Sequence, residues 1–229
     1  MNKICITTGF NKGYKPIGEL CLKSIKKYAK KFGHDVEIGN EYFQIEEPHI
    51  AKLIMILDLF ERGYEYVMWV DADAIFIDYE QDILKEIDEG KDLYLVKHNY
   101  KGTEIANTGV MLIKNSMWSF HLLRDIVIKY REGKMKKHAW FENGLLNEAI
   151  GYYWMPKNFI LKLLFLKLGL KFQRENKYKE EYFSNIKWLD NKWNYLVYEN
   201  MGDCEDVVIV HYANQDNRDI LKEMKKCSS

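Results

Sequence analysis

Over its first seventy residues the chain alternates strand-like and helix-like apolar patterns, and this alternation limits the available folds more than any other feature. Ile4–Thr8 reads as a buried strand, and residues 9–13 as the glycine-bearing loop leaving its carboxyl end. From Pro16 the apolar positions Ile17, Leu20, Leu22, Ile25 and Tyr28 recur at helical spacing until Gly33, which is placed to stop the helix. Residues 34–38 read as a second strand and 50–62 as a second amphipathic helix ended by Gly63. Tyr66–Val70 is a near-continuous apolar strand running into Asp71. The order strand, helix, strand, helix, strand predicts an α/β fold: a Rossmann-like, mostly parallel central sheet flanked by helices, with ligands gathering at the carboxyl ends of its strands. Asp71 and Asp73 stand at such an end.

Further along, residues 92–96 and 110–113 read as strands and 117–130 as a helix, with Asn107-Thr108-Gly109 leading into the second of those strands. A helix is expected around 142–150, then an aromatic, lysine-rich stretch to about 198, and a last strand over 207–210 ending at His211. No internal repeat or low-complexity linker interrupts the pattern, so residues 1–229 are read as one domain.

Charge excludes one class of partner. Thirty-four basic residues balance 34 acidic ones, so no global field favours nucleic acid, and an anionic ligand must be held by local charge or a metal. Cys5, Cys21, Cys204 and Cys227 have no zinc-like spacing and read as free thiols of a reducing compartment. With no signal-peptide pattern and no run of eighteen apolar residues, the expectation is a soluble, cytoplasmic protein.

Two carboxylates at i and i+2 beyond a buried strand can both turn toward one hard divalent cation if the backbone bends there. Mg²⁺ or Mn²⁺ held in this way, with phosphate oxygens completing its shell, neutralises a leaving diphosphate. The plainer alternative is a pair of solvated acids in a loop. His211 also follows an apolar strand, where a parallel sheet would put it on the same rim as Asp71 and Asp73. It is either a third ligand, better suited to Mn²⁺ than to Mg²⁺, or a structural histidine.

The ordered set Ala51-Lys52, Leu57, Tyr66 to Ala74, Asn107-Thr108-Gly109-Val110, Asn115-Ser116-Met117-Trp118, Glu142-Asn143, Trp193-Asn194 and His211-Tyr212 resembles the galactosyl-, xylosyl- and mannosyl-transferase family with the GT-A fold. The resemblance implies a retaining transferase that moves a hexose or pentose from a nucleotide-diphosphate sugar, usually UDP-linked, to a hydroxyl of a glycan, lipid-linked or protein acceptor. It implies Mn²⁺ (or Mg²⁺) held by Asp71, Asp73 and His211. Donor contacts would come from Thr7, Thr8, Lys52, Asp71, Ala72, Asn107, Thr108 and Gly109, and catalytic roles would fall to Glu142 and Asn143. Residues 1–98 would form the nucleotide-binding half and 99–229 the sugar and acceptor half, with a smaller acceptor-side region toward the C-terminus. Two positions depart from the family pattern. Asn143 stands where the family has glutamine, one methylene longer, and Tyr212-Ala213-Asn214-Gln215 lacks the usual small-residue and cysteine ending, with Arg218 nearby to offer charge to a phosphate.

Residues 158–172 form an apolar run broken by Lys162, Lys167 and Lys171, too interrupted to span a bilayer. Such a helix either lies on an anionic membrane surface or packs in the core or a homodimer. Trp140, Tyr152, Tyr153, Trp154, Trp188 and Trp193 serve either as core or as platforms for an acceptor sugar. Two other functions compete: a haloacid-dehalogenase-like phosphatase using Asp71 and Asp73 with the acidic run 202–206, and a nucleotide-sugar binding module without turnover.

Overall fold

In a computed structural model, residues 4–100, 103–133, 141–150, 160, 184–197, 206–213 and 215–227 are described. Strand β1 (Ile4–Thr8) pairs in parallel with β2 (Asp35–Ile38) and with β3 (Tyr66–Val70). Strand β6 (Thr103–Lys114) runs antiparallel to both β3 and β5 (Leu93–Tyr100), and β5 pairs in parallel with β7 (Ile186–Leu189). The sheet order is therefore β2-β1-β3-β6-β5-β7, with β6 alone reversed. The expected mostly parallel sheet flanked by helices is present.

Alternation along each strand sorts the core into two layers, because successive side chains of a strand point to opposite faces. Ile4, Ile6, Met68 and Val70 pack with Ile17, Cys21, Ile25 and Tyr28 of helix α1 (Lys15–Phe32). Cys5, Val67, Trp69 and Met111 pack on the other face with Leu53, Ile56 and Leu59. Those leucines and Ile56 come from helix α3 (Pro48–Glu61), which follows the single-turn helix α2 (Tyr42–Ile45). Helices α4 (Met117–Arg131) and α5 (Phe141–Ala149) complete that layer, α4 through Leu123 and Ile126 and α5 through Leu145 and Leu146. Pro16 opens α1, and Gly33 closes it in the left-handed region at φ 76°, as the sequence predicted. Ser116 and Ser119 form a reciprocal capping box at the start of α4.

A second, three-stranded sheet positions the site. It consists of β4 (Ala74–Phe76), β9 (Ile209–His211) and β8 (Tyr195–Leu196), with β9 central. Neither β4 nor β8 was legible in the sequence, because two or three residues carry no periodic signal. Strand β7 and the last helix, α6 (Asn217–Cys227), were also missed. Strand β6 begins seven residues earlier than expected, so Asn107-Thr108-Gly109 lies inside a strand instead of leading into one. The β5–β6 register passes from Leu95 opposite Met111 to Val96 opposite Asn107. Thr108, Gly109 and Val110 consequently bulge away from β5, toward the end of β3.

Among the described residues no helix is long and apolar enough to cross a membrane. Apart from Ile160, the apolar run 158–172 lies outside the described residues, as do the acidic residues 202–205 and the aromatics Trp140, Tyr152, Tyr153 and Trp154.

Strand β4 is tied to α1 by the buried Ser24 hydroxyl, which accepts the Phe76 N–H at 3.2 Å, and by the Tyr28 ring stacked on Phe76 with centroids 4.1 Å apart. Ser24→Ala orphans that buried N–H and is expected to lower unfolding free energy by about 1–3 kcal/mol in urea titrations.

Candidate functional site

The chain leaves the main sheet at Val70 and enters the second sheet at Ala74, and the two acids occupy the turn between. Asp71 donates its N–H to the Gly109 carbonyl in the β6 bulge at 2.7 Å, and its own carbonyl accepts the Ala74 N–H at 3.0 Å. This is the backbone bend that an Asp-x-Asp metal site requires, and it turns both carboxylates to one side.

His211 reaches them by a different route from the one expected. It does not sit on the rim of the main sheet. Strand β9 runs antiparallel to β4, with His211 opposite Ala74, and the Tyr212 N–H donates to the Asp73 carbonyl at 3.0 Å. His211 Nε2 lies 3.3 Å from Asp73 Oδ1 and 4.0 Å from Asp71 Oδ2. One ligand atom from each of the three residues lies within 4.8 Å of the others. Two carboxylates and an imidazole form a mixed oxygen and nitrogen donor set that fits a divalent cation such as Mn²⁺.

Lys52 is buried on α3. Its ammonium pairs with Asp71 Oδ1 at 3.0 Å, donates to the Thr108 carbonyl at 2.9 Å and lies 5.3 Å from the Trp69 ring centre. The Trp69 indole N–H donates to the same Asp71 oxygen at 2.6 Å. Two donors thus fix Oδ1 of Asp71, while Oδ2 is the oxygen on the His211 side.

The Asp73–His211 pair shows which electrostatic effect wins. Burial pushes the Asp73 carboxyl up, but the adjacent His211 and the more distant Lys52 outweigh it and hold the group below the usual carboxylate range. Burial likewise pushes His211 down, and Asp73 and Asp71 together override it and raise the ring. The acids and the histidine therefore stabilise each other's charged forms. Tyr14, just before α1, is pushed up to about 12, by burial first and then by the charges of Asp73 and Asp71.

Gly109 meets the most severe steric limit at the site. A Cβ there would stand 2.1 Å from His211 Cε1 and 2.6 Å from His211 Nδ1. The glycine is required by the imidazole packed on it, not by an unusual backbone conformation. Asn143, in the first turn of α5, accepts the Thr108 N–H on Oδ1 at 2.9 Å, which orients its amide against the bulge. Asn147, one turn on, brackets Ala106 with two 2.9 Å hydrogen bonds. The Glu142 side chain lies outside the described residues.

The remaining expected residues are less close to the cluster. Thr7 and Thr8 are fully buried at the carboxyl end of β1. The Thr7 hydroxyl donates to the Glu37 carbonyl at 3.1 Å, and Thr8 Oγ1 is 4.0 Å from Cys21 Sγ. Ala72 is buried between the two acids. Arg218 is an exposed residue of α6 paired with Asp216. Trp193 is core, its indole N–H donating to Glu86 at 3.1 Å.

Three residues at the site were given no role from the sequence. Trp69 falls within the expected strand 66–70, and His98 just beyond the expected strand 92–96. Asn194 was noted beside Trp193, yet its side chain bonds both His211 and Asn107. No local pattern marks such contacts, since they join residues far apart in the chain.

No family model matches the chain. Among curated proteins it is similar to Glycosyltransferase 6 of Arabidopsis thaliana, 30% identical over 138 residues that span 53% of this chain and 32% of the relative. Xyloglucan 6-xylosyltransferase 4 of the same plant is 29% identical over 219 residues, 87% of this chain and 41% of the relative. The chain thus spans well under half the length of these relatives.

Solved structures give wider coverage at lower identity. A glycosyltransferase involved in glycosylating the major capsid of PBCV-1 superposes with a TM-score of 0.67 at 14% identity, over 97% of this chain and 99% of that one. The glycosyltransferase GlyE of Streptococcus pneumoniae gives 0.63 at 15% identity, over 100% of this chain and 60% of that one. The galactosyltransferase LgtC, solved with donor and acceptor sugar analogues, gives 0.59 at 13% identity, over 98% and 95%. The fold is that of the GT-A glycosyltransferases. Relatives by sequence and neighbours by structure are alike glycosyltransferases, which does not favour the phosphatase or the non-catalytic module.

Two outcomes follow from this geometry. Gly109→Ala displaces His211 from the acids and is expected to weaken divalent-metal binding, read by titration calorimetry, at least tenfold. His98 is pushed down to about 4, chiefly by burial and then by His211. Its folded value lies below the unfolded value of 6.5, so the unfolded chain takes up the proton first as pH falls. Its neutral form contributes stability that is complete above pH 6.5 and fades toward pH 4. Urea midpoints should show a loss on the order of 2 kcal/mol between pH 7 and pH 5 that is absent from His98→Gln.

Proposed function

We propose that the chain is a metal-dependent glycosyltransferase that moves a hexose or pentose from a nucleotide-diphosphate sugar, UDP-linked, to an acceptor hydroxyl with retention of configuration. The observation that carries this reading is the convergence of Asp71, Asp73 and His211 within 4.8 Å of one another, beside the buried Lys52 and at the edge of a GT-A sheet. A diphosphate needs concentrated positive charge; the chain has zero net charge and its Lys52 is already paired with Asp71, so a cation held by the three residues would supply that charge locally.

In this reading Asp71, Asp73 and His211 hold the cation, Mn²⁺ fitting their nitrogen and oxygen donors better than Mg²⁺. When bound, the cation neutralises charge on the departing diphosphate. Lys52 adds a second positive charge from a fixed position, because Asp71 and the Thr108 carbonyl hold its ammonium before any ligand arrives. Within the half spanning 1–98, Ala72 would face the nucleotide from the turn between the acids, and the fully buried Thr7 and Thr8 would support that side from behind. Thr108 and Gly109 bring backbone close to the sugar.

Asn143, oriented by the Thr108 N–H, and Glu142 stand for the groups that steady positive charge developing at the anomeric carbon. The acceptor hydroxyl attacks the face from which the diphosphate leaves and passes its proton to a leaving phosphate oxygen, so no separate base is required. The sugar and acceptor half over 99–229 would receive a glycan, lipid-linked or protein hydroxyl.

A thermal-shift screen of UDP-, GDP- and CMP-sugars with Mn²⁺ is expected to show stabilisation by the UDP-linked donors. Asp73→Asn is expected to remove that shift and lower donor turnover by about a hundredfold or more. An unchanged turnover in Asp73→Asn, or no shift with any donor, would overturn the proposal.

A further inference from the structure

A line of buried amides runs from a backbone N–H to the candidate metal ligand His211, and its direction is readable. The Gly109 N–H donates to Asn107 Oδ1 at 2.7 Å. A backbone N–H cannot act as acceptor, so the atom facing it must be the Asn107 oxygen. The other Asn107 atom is then the amide nitrogen, which faces His98 Nδ1 at 3.0 Å and makes that ring nitrogen an acceptor.

The same Asn107 oxygen faces Asn194 Nδ2 at 2.9 Å, which makes Asn194 a donor at that end and an acceptor at the other. Asn194 Oδ1 lies 2.9 Å from His211 Nδ1. His211 must therefore carry its hydrogen on Nδ1. Each reversal meets an obstacle. A flipped Asn194 sets two oxygens together, and a flipped Asn107 sets its amide hydrogens against the Gly109 N–H. All four side chains are buried, so an orphaned polar group there costs its full desolvation.

We infer that Asn107 and Asn194 are positioning residues whose one-way hydrogen bonds, anchored on the Gly109 N–H, keep a hydrogen on His211 Nδ1 and direct Nε2, as the nitrogen left for a metal, at the gap between Asp71 and Asp73. Metal-binding histidines need this second partner to fix ring tautomer and orientation. Asn194 fills that place from strand-adjacent chain seventeen residues before His211. The Gly109 bulge thereby acts on the metal ligand twice, by clearing space for the ring and by setting its proton.

The inference deepens the metal reading above and rests on it only for the second arm of its test. In the first arm, long-range ¹⁵N–¹H correlation on metal-free protein is expected to show a hydrogen on His211 Nδ1, with or without a second on the Nε2 that faces Asp73, and a ring bearing its hydrogen on Nε2 alone overturns the inference whatever the metal does. The second arm compares Mn²⁺ affinity by electron paramagnetic resonance in Asn194→Leu and Asn194→Asp. Leucine removes the acceptor and is expected to weaken binding about ten- to a hundredfold. Aspartate keeps an oxygen on Nδ1–H and is expected to bind within about threefold of the unmodified protein, although it loses stability because its second oxygen faces Asn107 Oδ1. Unaltered affinity in Asn194→Leu, or equal loss in the two variants, overturns the inference. Failure of the unmodified protein to bind Mn²⁺ removes the metal reading, and the tautomer measurement then decides the amide chain alone.

Discussion

Two backbone hydrogen bonds grip the Asp71-Ala72-Asp73 turn from opposite sides, and the placement of every other group at the site depends on them. The Asp71 N–H reaches the Gly109 carbonyl in the bulge of β6, and the Asp73 carbonyl accepts the Tyr212 N–H just beyond β9. The first bond ties the turn to the main sheet and the second ties it to the small one. Because neither depends on a side chain, they fix where the carboxylates start before charge is considered. Electrostatics then acts on a geometry already set, which is the preorganisation that makes charge effective.

Within that frame, charge is concentrated with its compensation. Lys52 would be costly to bury alone, and so would the Asp73–His211 pair. Lys52 is answered by Asp71 and a carbonyl, Asp71 by Lys52 and the Trp69 indole, and Asp73 by His211. The opposite shifts of Asp73 and His211 are two views of one interaction that overcomes burial at both ends. Replacing Asp71 leaves the buried Lys52 ammonium, and replacing Asp73 leaves the buried His211, without its nearest carboxylate, so the charges act together.

The bulge in β6 joins sheet geometry to chemistry. The Gly109 carbonyl continues the β3–β6 ladder to the Asp71 N–H, while register with β5 is lost over Thr108, Gly109 and Val110, which frees the Thr108 carbonyl for Lys52 and the Thr108 N–H for Asn143. A regular strand would spend these groups on the ladder. Glycine is needed within the bulge because a histidine ring lies on it.

The sequence by itself determined the alternating elements that build β1, α1, β2, α3 and β3, and it put Asp71 and Asp73 at a strand's carboxyl end. Helical and strand periodicities are local, and so are the stop at Gly33 and the run into Asp71. It also marked Lys52, Gly109 and His211, through the spacing of motifs along a resemblance. The tertiary structure alone decided how His211 arrives, since a three-residue strand leaves no pattern and its partner lies more than 130 residues away. It alone decided that Asn107 lies in a bulged strand, that Trp69 holds Asp71, and that Asn194 faces His211. Such contacts join side chains distant in sequence, and a hydrogen bond between them is specified by where the sheets bring them, not by their neighbours in the chain.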